Sequence, residues 1–427
     1  MHDYACSQKE FINLKYIKYI DSAIVNFVIC KFICIFTRTK INIKTSNMID
    51  FSLTTRHQEI IEKYKDFTEK YIIPVAREND AKAEFPWDVV KKAYDEGIMN
   101  GLMPKEYGGN GYNLFEGTLT SEELGFGCIG TGISIDANTL ALTPLYVAAS
   151  DELKKEWFGR LVEEKAVAGY CLTEPNAGSD VQGIKTTAIK KGDKYVINGH
   201  KRFITNAEAS TVLTVFALTD PERGSRSLSA IMVPTNTPGV EIKPRMQKMG
   251  QKASVQNEII FTDVEVPVGN LIGREGLGFV IAMKTFDRTR TGVAALAVGS
   301  SRRAFETARD WSKQRIQFGK PIAAQQAIAF MLAEMATKLD SARLMTWRAA
   351  WEYDAGVKNP GLSSAMAKYW ATDMGMEIAT DAVQVMAGDG YSYDYDVEKI
   401  MRDVKLTQIY EGTNQVQRLV ISKSILK

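Results

Sequence analysis

Histidine is scarce: the 427 residues hold three, His2, His57 and His200, with none close to another in sequence. A multi-histidine metal centre has no basis in that spacing and no metal is expected, although a Ser-His-Asp triad is not strictly excluded. Cysteine is sparse and odd in number, five residues with Cys30 and Cys34 the only close pair. Neither a zinc site nor a disulfide framework is indicated, and a reducing compartment is expected. No Gly-x-Gly-x-x-Gly follows a strand and no Walker loop is present, which disfavours a dinucleotide held on a doubly wound sheet. An excess of one charge is lacking too: 53 Lys and Arg face 51 Asp and Glu, so nothing electrostatic points to nucleic acid.

Long apolar runs are also missing. The longest candidate, Ala23–Phe36, is 14 residues interrupted by Asn26 and Lys31. A spanning helix needs about 20, so no integral membrane segment is expected. What is present is ordinary for a globular chain, 45% hydrophobic and 24% charged. The length calls for two or three domains.

Residues 1–47 stand apart. They contain no Gly and no Pro and carry 7 Lys and Arg against 3 Asp and Glu, a charge of +4 that leaves −2 on the remainder. Neither a clean secretory signal nor an Arg-rich presequence is evident. The expectation is a non-family extension, untranslated leader sequence or disordered, with Met48 as the true start. An amphipathic or targeting extension is the alternative.

From Thr54 the pattern is helical. Ile60, Tyr64, Phe67 and Tyr71 share one helix face, Thr55 and Gln58 have capping-box spacing, and Pro74 bends or stops the run. Further helices are expected over Asp88–Glu96, Glu116–Gly125 and Glu152–Glu164, with Pro104–Gly111 a loop. Residues 48–164 read as an N-terminal helical domain. Short β-rich runs follow at Tyr195–Ile197, Val212–Leu218, Leu228–Val233, Val240–Lys243 and Glu258–Val266, with Asn198-Gly199 as a hairpin turn. Residues 165–275 therefore read as a β-barrel or sandwich. Helices return over Gly278–Gln314, Gln325–Ala355, Leu362–Met386 and Thr413–Ile425, giving a C-terminal helical domain over 276–427. The fold class is α+β.

Particular residues go further than pattern. Tyr170-Cys-Leu-Thr-Glu-Pro-Asn-Ala-Gly-Ser-Asp-Val-Gln-Gly183 resembles the first signature of the acyl-CoA dehydrogenase family, and Ile409-Tyr-Glu-Gly-Thr-Asn-Gln415 resembles its C-terminal signature. Between them Phe203-Ile-Thr-Asn206, Asp287–Arg290, Arg315-Ile-Gln-Phe-Gly-Lys320 and Gln384-Val-Met-Ala-Gly-Asp-Gly390 resemble further family blocks, in the family's order. The likeness covers about residues 50–427 and is nearest to the medium-chain enzyme. It implies two helical domains, the second a four-helix bundle, flanking a β-barrel.

The resemblance implies a flavoprotein oxidoreductase of fatty-acid β-oxidation, using FAD to convert an acyl-CoA thioester to the trans-2-enoyl-CoA. A base takes the α-proton while the β-hydrogen leaves as hydride to flavin N5. A carboxylate in water, with a pKa of about 4.3, is a weak base for this step, and burial beside an apolar chain would raise it. Glu411 matches the family's base; read alone it is a helix N-terminal acid. Thr289 stands where some subfamilies carry the base as Glu, which points back to Glu411.

The resemblance also assigns binding residues. Tyr170, Leu172, Thr173, Gly178, Ser179, Phe203, Ile204, Thr205, Thr413 and Gln415 fall at the flavin, with Phe203 where many relatives have Trp. Arg315, Gln317, Phe318, Gln325, Gln384 and Gly388 fall at the FAD of a neighbouring subunit, implying a homotetramer built as a dimer of dimers. Gln317 replaces a commoner Thr. Ser179, Asp287, Arg290, Tyr410 and Gly412 fall at the acyl-CoA, and Asp136 at the bottom of the acyl pocket. Alone, Asp287 and Arg290 are a solvated i,i+3 ion pair and Arg315 a helix-end charge.

The implied partner is electron-transfer flavoprotein and the implied substrate a short or medium straight-chain acyl-CoA. The alternatives are an enoyl-CoA reductase subunit of an electron-bifurcating complex, an oxidase, and a non-catalytic acyl-CoA-binding scaffold. The expected location is the cytoplasm, or alternatively the mitochondrial matrix.

Overall fold

The computed structural model describes residues 51–427, so the expectations for residues 1–47 and for Met48 lie outside the described residues. Six helices come first: α1 Thr55–Phe67, α2 Ala76–Lys82, α3 Trp87–Asp95, α4 Leu114–Gly127, α5 Ile129–Ala148 and α6 Asp151–Glu163. Helix α1 buries Ile60, Tyr64 and Phe67, the face read from the sequence. Its capping box sits one residue earlier than expected. Thr54 Oγ1 accepts from the His57 backbone N–H at 3.2 Å and His57 Nδ1 accepts from Thr54 N–H at 3.3 Å. A histidine here does what Glu or Gln does in the usual motif. The chain then tightens through irregular turns around Pro74 before α2.

Helix α5 was not legible in the sequence. It carries Pro144 and is buried on nearly every side, by Ile135, Ala137, Asn138, Ala141 and Leu145 among others. A helix without a polar face shows no amphipathic period. Asn138 ties it to the sheet, accepting from Ala168 N–H at 2.7 Å and donating to Asn100 Oδ1 at 2.8 Å.

Eight strands form one mixed sheet: β1 Val167–Cys171, β2 Thr187–Lys191, β3 Lys194–Thr205, β4 Ser210–Leu218, β5 Leu228–Pro234, β6 Val240–Ile242, β7 Gln256–Pro267 and β8 Leu271–Ile272. The order is β6-β7-β3-β2-β4-β5-β8, with β1 parallel to β4. Asn198-Gly199 is not a hairpin turn. It lies inside β3, where the register against β7 shifts between Ile197 and Gly199. Asn198 exchanges two bonds with Asp263 across that irregularity, donating at 3.0 Å and accepting at 2.9 Å. The turn joining β2 to β3 falls at Gly192 instead, where φ is +65°.

The C-terminal region is helical: α7 Gly278–Gln314, α8 Gln326–Asp354, α9 Pro360–Tyr391, α10 Val397–Thr407 and α11 Asn414–Ile425, with a small hairpin of β9 Ile316–Gln317 and β10 Lys320–Pro321 after α7. Helices α7 to α10 pack as a four-helix bundle on an alanine-rich seam that includes Ala294, Ala304, Ala371, Ala379 and Ala382. Helix α7 also lies directly on α4. A Cβ built on Gly299 would stand 1.8 Å from Glu122 O, and one built on Gly125 would stand 2.3 Å from Leu296 O, so glycine on both helices permits the approach. That contact closes one side of the cavity described below. Helix α10 escaped the sequence because two of its inward residues are charged: buried Lys399 and Asp403 pair with each other, so the inward face does not read as apolar.

Among the described residues no helix is long and apolar enough to cross a membrane.

Candidate active site

The turn between α10 and α11 carries Glu411. Ile409 and Tyr410 N–H groups both bond Leu406 O, and Asn414 N–H returns to Gln408 O at 3.0 Å, so the turn closes on itself. Glu411 takes a left-handed φ of 52°, which costs a non-glycine residue on the order of 1 kcal/mol. Gly412 follows at φ 90°, where a Cβ would stand 2.6 Å from Gln417 Nε2.

The carbonyls of this strained turn are held from three sides. Arg290 Nε donates to Glu411 O at 3.1 Å, Gln417 Nε2 to Gly412 O at 2.8 Å, and Lys368 Nζ to Gly412 O at 2.9 Å and to Asn414 Oδ1 at 3.0 Å. The turn therefore has little freedom, and its carboxyl is directed onto α7. There Thr289 Oγ1 donates to Glu411 Oε2 at 2.6 Å.

Burial pushes the Glu411 carboxyl up to about 7, although Thr289, Arg290 and Lys368 all favour its charged form; Asp136 adds to the rise. The residue keeps a partial opening to solvent. Burial lowers Arg290, and Asp287 stands 3.6 Å from it, so the i,i+3 pair forms, but with Arg290 buried rather than solvated. Burial also pushes Lys368 down to about 7.

Glu411 lines a pocket between α4, α5 and α7. Most of the wall is apolar, from Leu102, Leu114, Ile133, Leu140, Val293 and Leu296. Asp136 lines the same cavity, accepting from Ser121 Oγ at 2.6 Å, with burial raising its carboxyl to about 6. The site thus places two carboxyl groups that titrate near neutrality in one apolar pocket. Tyr170 packs against Phe216 and Phe286, with ring centroids at 5.0 and 5.9 Å. Burial and the Glu411 charge raise its phenol well above the usual value.

The residues expected at the flavin are organised by β1, β3 and the loop between β1 and β2. Lys201, fully buried, donates to Leu172 O at 3.0 Å and to Glu174 Oε1 at 2.8 Å, while Glu174 accepts from the Lys185 and Thr186 N–H groups. Burial alone would raise Glu174, but Lys201 and these donors hold it below its ordinary value. This pair shapes the signature loop. Leu172 and Ile204 are buried in the sheet core, Thr205 accepts from Gln256 Nε2 at 3.1 Å, and Phe203 sits at φ 59° with 53% of its surface exposed. Thr413 spends its hydroxyl as the N-cap of α11, accepting from Val416 N–H, and Gln415 is exposed.

The chain fits a flavin on its own evidence. The Tyr170 hydroxyl is buried without a partner among the described residues. Thr173 and Ser179 hydroxyls make no bond to described residues, a Cβ on Gly178 would meet only open space, and Phe203 is half exposed with the Arg202 guanidinium 4.9 Å over its ring.

The remaining predicted cofactor residues are not brought to this pocket. Arg315 follows the last residue of α7, 25 positions beyond Arg290 on an uninterrupted helix, about 37 Å along its axis. Gln317 and Phe318 lie in the adjoining hairpin, with Phe318 93% exposed, and Gln325 precedes α8. Gln384 and Gly388 are exposed where α9 breaks at Ala387, φ 53°. Sequence reasoning missed Lys368, Gln417 and the bond from Thr289. A lysine and a glutamine on helices read as solvated residues, and Thr289 entered only as the absence of a glutamate.

Comparison with known proteins agrees with this construction. Models of the acyl-CoA dehydrogenase N-terminal, middle and C-terminal domains match residues 54–165, 169–264 and 276–426. An acyl-CoA dehydrogenase of Bacillus subtilis is 41% identical over 87% of this chain and 98% of its own. A probable medium-chain specific acyl-CoA dehydrogenase of Caenorhabditis briggsae is 39% identical over 89% and 93%. A solved chain described as electron transferring flavoprotein of Acidaminococcus fermentans, in connection with flavin-based electron bifurcation, is 42% identical with a TM-score of 0.86, over 89% of this chain and all of its own. The chain belongs to the acyl-CoA dehydrogenase family and is an FAD-dependent oxidoreductase acting in acyl-CoA dehydrogenation.

Proposed function

We propose that the chain oxidises a short- or medium-chain straight acyl-CoA thioester to the trans-2-enoyl-CoA, with the Glu411 carboxylate removing the α-proton. The observation that carries this is the placement of Glu411 in the wall of a mostly apolar pocket, with burial lifting its carboxyl to about 7. A base whose pKa matches the working pH is ionised in useful proportion and still takes up a proton readily.

Each neighbour has a part in that step. Thr289 fixes the Glu411 carboxyl by its hydroxyl, and Arg290, Gln417 and Lys368 fix the turn behind it. Because these donors engage the turn's carbonyls, the Glu411 side chain keeps one orientation, and positioning of this kind lowers the barrier. The apolar walls exclude water along the acyl chain. Bound FAD supplies the acceptor for the electron pair that leaves with the β-hydrogen. Tyr170, Thr173, Ser179, Phe203 and Thr205 are the residues proposed to hold it, and Asp287 and Arg290 those proposed for the CoA portion.

The assembly proposed rests on the resemblance. Arg315 lies about 37 Å from Arg290 along the helix, away from the Glu411 pocket, and its exposed guanidinium is proposed to serve the FAD of another copy. With Gln317, Phe318, Gln325, Gln384 and Gly388 it makes the site depend on a second subunit, and the assembly proposed is the homotetramer. The electron acceptor proposed is electron-transfer flavoprotein. The likeness to a chain described with electron bifurcation favours one second reading, the same site run in reverse as an enoyl-CoA reductase. Buried, unpaired Cys128 and Cys171 fit a reducing compartment, the cytoplasm first and the mitochondrial matrix second.

The test is an anaerobic titration of the purified holoprotein with acyl-CoAs from butyryl to palmitoyl. Bleaching of the oxidised-flavin band within one chain-length window is expected. A flavin that no saturated ester bleaches, but that an enoyl-CoA ester reoxidises after chemical reduction with dithionite, would establish the reverse direction instead.

A further inference from the structure

The segment joining β6 to β7 meets α10, the helix that leads into the Glu411 turn. Gln251 lies in that segment, 1% exposed, with a left-handed φ of 48°. The conformation costs a non-glycine residue on the order of 1 kcal/mol, and glycine adopts it freely. Glycine stands one position earlier, where the backbone comes so close to α10 that a Cβ on Gly250 would lie 2.4 Å from Arg402 O. At 251 the chain keeps a strained, buried glutamine instead. Strain of this kind persists where the surroundings hold the residue in place, and here the side chain takes part in that hold.

Two donors of Gln251 engage one residue of α10. Its backbone N–H donates to Asp403 Oδ1, and its Nε2 donates to Asp403 O at 2.8 Å. Asp403 is 1% exposed and is held from another side by Lys399. The Gln251 carbonyl accepts from Lys248 Nζ at 2.8 Å and from Ser254 N–H at 3.0 Å, so the segment closes on itself. From this junction contacts run to both halves of the site. Asp403 precedes Glu411 by eight positions, through the end of α10 and the turn. In the other direction β7 begins at Gln256, which donates to Thr205 Oγ1 at 3.1 Å, and Val255 O accepts from Asn206 N–H at 3.0 Å, at the end of the strand that carries Phe203, Ile204 and Thr205. A Cβ on Gly130, at the start of α5, would stand 3.2 Å from Gln251 Cα, so the helix that carries Asp136 abuts the same residue.

We infer that Gln251 is a positioning residue for the dehydrogenation: it fixes the strands proposed to hold the flavin against α10, and so sets the separation between the flavin and the Glu411 carboxylate. The inference rests on the reading of Glu411 as the base. The α-proton and the β-hydrogen leave adjacent carbons of one substrate, so the base and the hydride acceptor must be in register with each other as well as with the substrate. Thr289, Arg290, Lys368 and Gln417 hold the turn from the C-terminal helices. Gln251 ties the helix before that turn to the β-domain.

The experiment compares two variants with the wild type as purified holoproteins. Gln251→Met keeps the length of the side chain but cannot donate to Asp403 O. Gln251→Gly loses the same bond and also relieves the backbone, so it carries the test if the Met variant does not fold. The measurements are FAD content, the affinity for an enoyl-CoA read from the flavin spectrum, and single-turnover flavin reduction by a saturating acyl-CoA deuterated at the α-carbon or at the β-carbon. FAD content and enoyl-CoA affinity are expected to stay within about twofold of the wild type while reduction slows by about ten- to a hundredfold, the scale of a 1 Å misplacement. The ratio of the α- to the β-deuterium isotope effect is expected to change, which a loss of stability alone would not bring about. Reduction at the wild-type rate with unchanged isotope effects in either variant would overturn the inference. A fall in rate matched by an equal loss of FAD or of enoyl-CoA affinity would also overturn it, because Gln251 would then serve binding or the fold. Both results leave the Glu411 reading intact, whereas reduction at the wild-type rate in Glu411→Gln would remove that reading and this inference together.

Discussion

Thr289 Oγ1 donates to Glu411 Oε2 at 2.6 Å, joining the middle of the long helix α7 to a left-handed turn 122 residues later in the chain. A hydroxyl donor stabilises the charged carboxylate, so this bond opposes the burial that raises Glu411. The base is set near neutrality by the difference between the two. In Thr289→Val the opposing bond is lost and the carboxyl pKa must rise. The rising limb of kcat/KM against pH, expected near about 7 in the wild type, is predicted to move up by about one unit. An unmoved limb would show that Thr289 does not act on the base.

Lys368 holds the other side of the turn through Gly412 O and Asn414 Oδ1. In Lys368→Met both bonds go, and a nearby cation that favours ionised Glu411 goes with them. Displacement of a base by about 1 Å costs roughly a hundredfold in rate. We expect kcat for single-turnover flavin reduction to fall about ten- to a hundredfold, with FAD content unchanged because Lys368 lies under the turn rather than among the flavin residues. Loss of flavin in place of loss of rate would assign Lys368 to cofactor retention.

Glu411 should also weaken the fold above neutral pH. Its folded pKa is raised to about 7, against about 4.3 in an unfolded chain. A raised pKa contributes stability that is fully present below the unfolded value and is lost as pH rises through the folded one. Glu411→Gln carries no such loss. It is predicted to be more stable than the wild type by about 1–2 kcal/mol at about pH 8, after allowance for partial solvent access, and to converge with it at about pH 4. Denaturant unfolding at the two pH values measures the difference.

Arg315→Ala tests the shared cofactor. Removing a guanidinium placed for a neighbour's FAD should lower flavin content and shift the assembly toward smaller species in sedimentation, while leaving the Glu411 pocket of each chain folded. A fully flavinylated tetramer with unchanged FAD affinity would remove the cross-subunit role.

Much of this was legible in the sequence because the residues concerned are polar groups in fixed order on the chain. The change of period along the chain carried the three-part α+β plan, and the family blocks agreed with it. The period of Ile60, Tyr64 and Phe67 carried α1, and Gly278–Gln314 was read at its observed bounds. What escaped did so for physical reasons. Helix α5 is buried all round and has no period to read, and α10 turns Lys399 and Asp403 inward, so its core face is charged. Asn198-Gly199 has the composition of a turn but occupies a register shift, where the Asn198 side chain satisfies Asp263 across strands that only tertiary pairing brings together. At the site, Glu411 could be picked out by its signature. The bonds that hold it come from Gln417, six residues on, and from Thr289, Arg290 and Lys368, and no spacing rule connects Glu411 to the last three.

The central claim is that the Glu411 carboxylate removes the substrate α-proton, and Glu411→Gln tests it most directly. The amide is similar in size and can still accept from Thr289, so FAD and acyl-CoA binding should persist. Stopped-flow mixing of the variant holoprotein with a saturating acyl-CoA that bleaches the wild type is predicted to give a bound complex whose oxidised-flavin band does not decay. Decay at the wild-type rate would contradict the account, because another group would then be taking the proton.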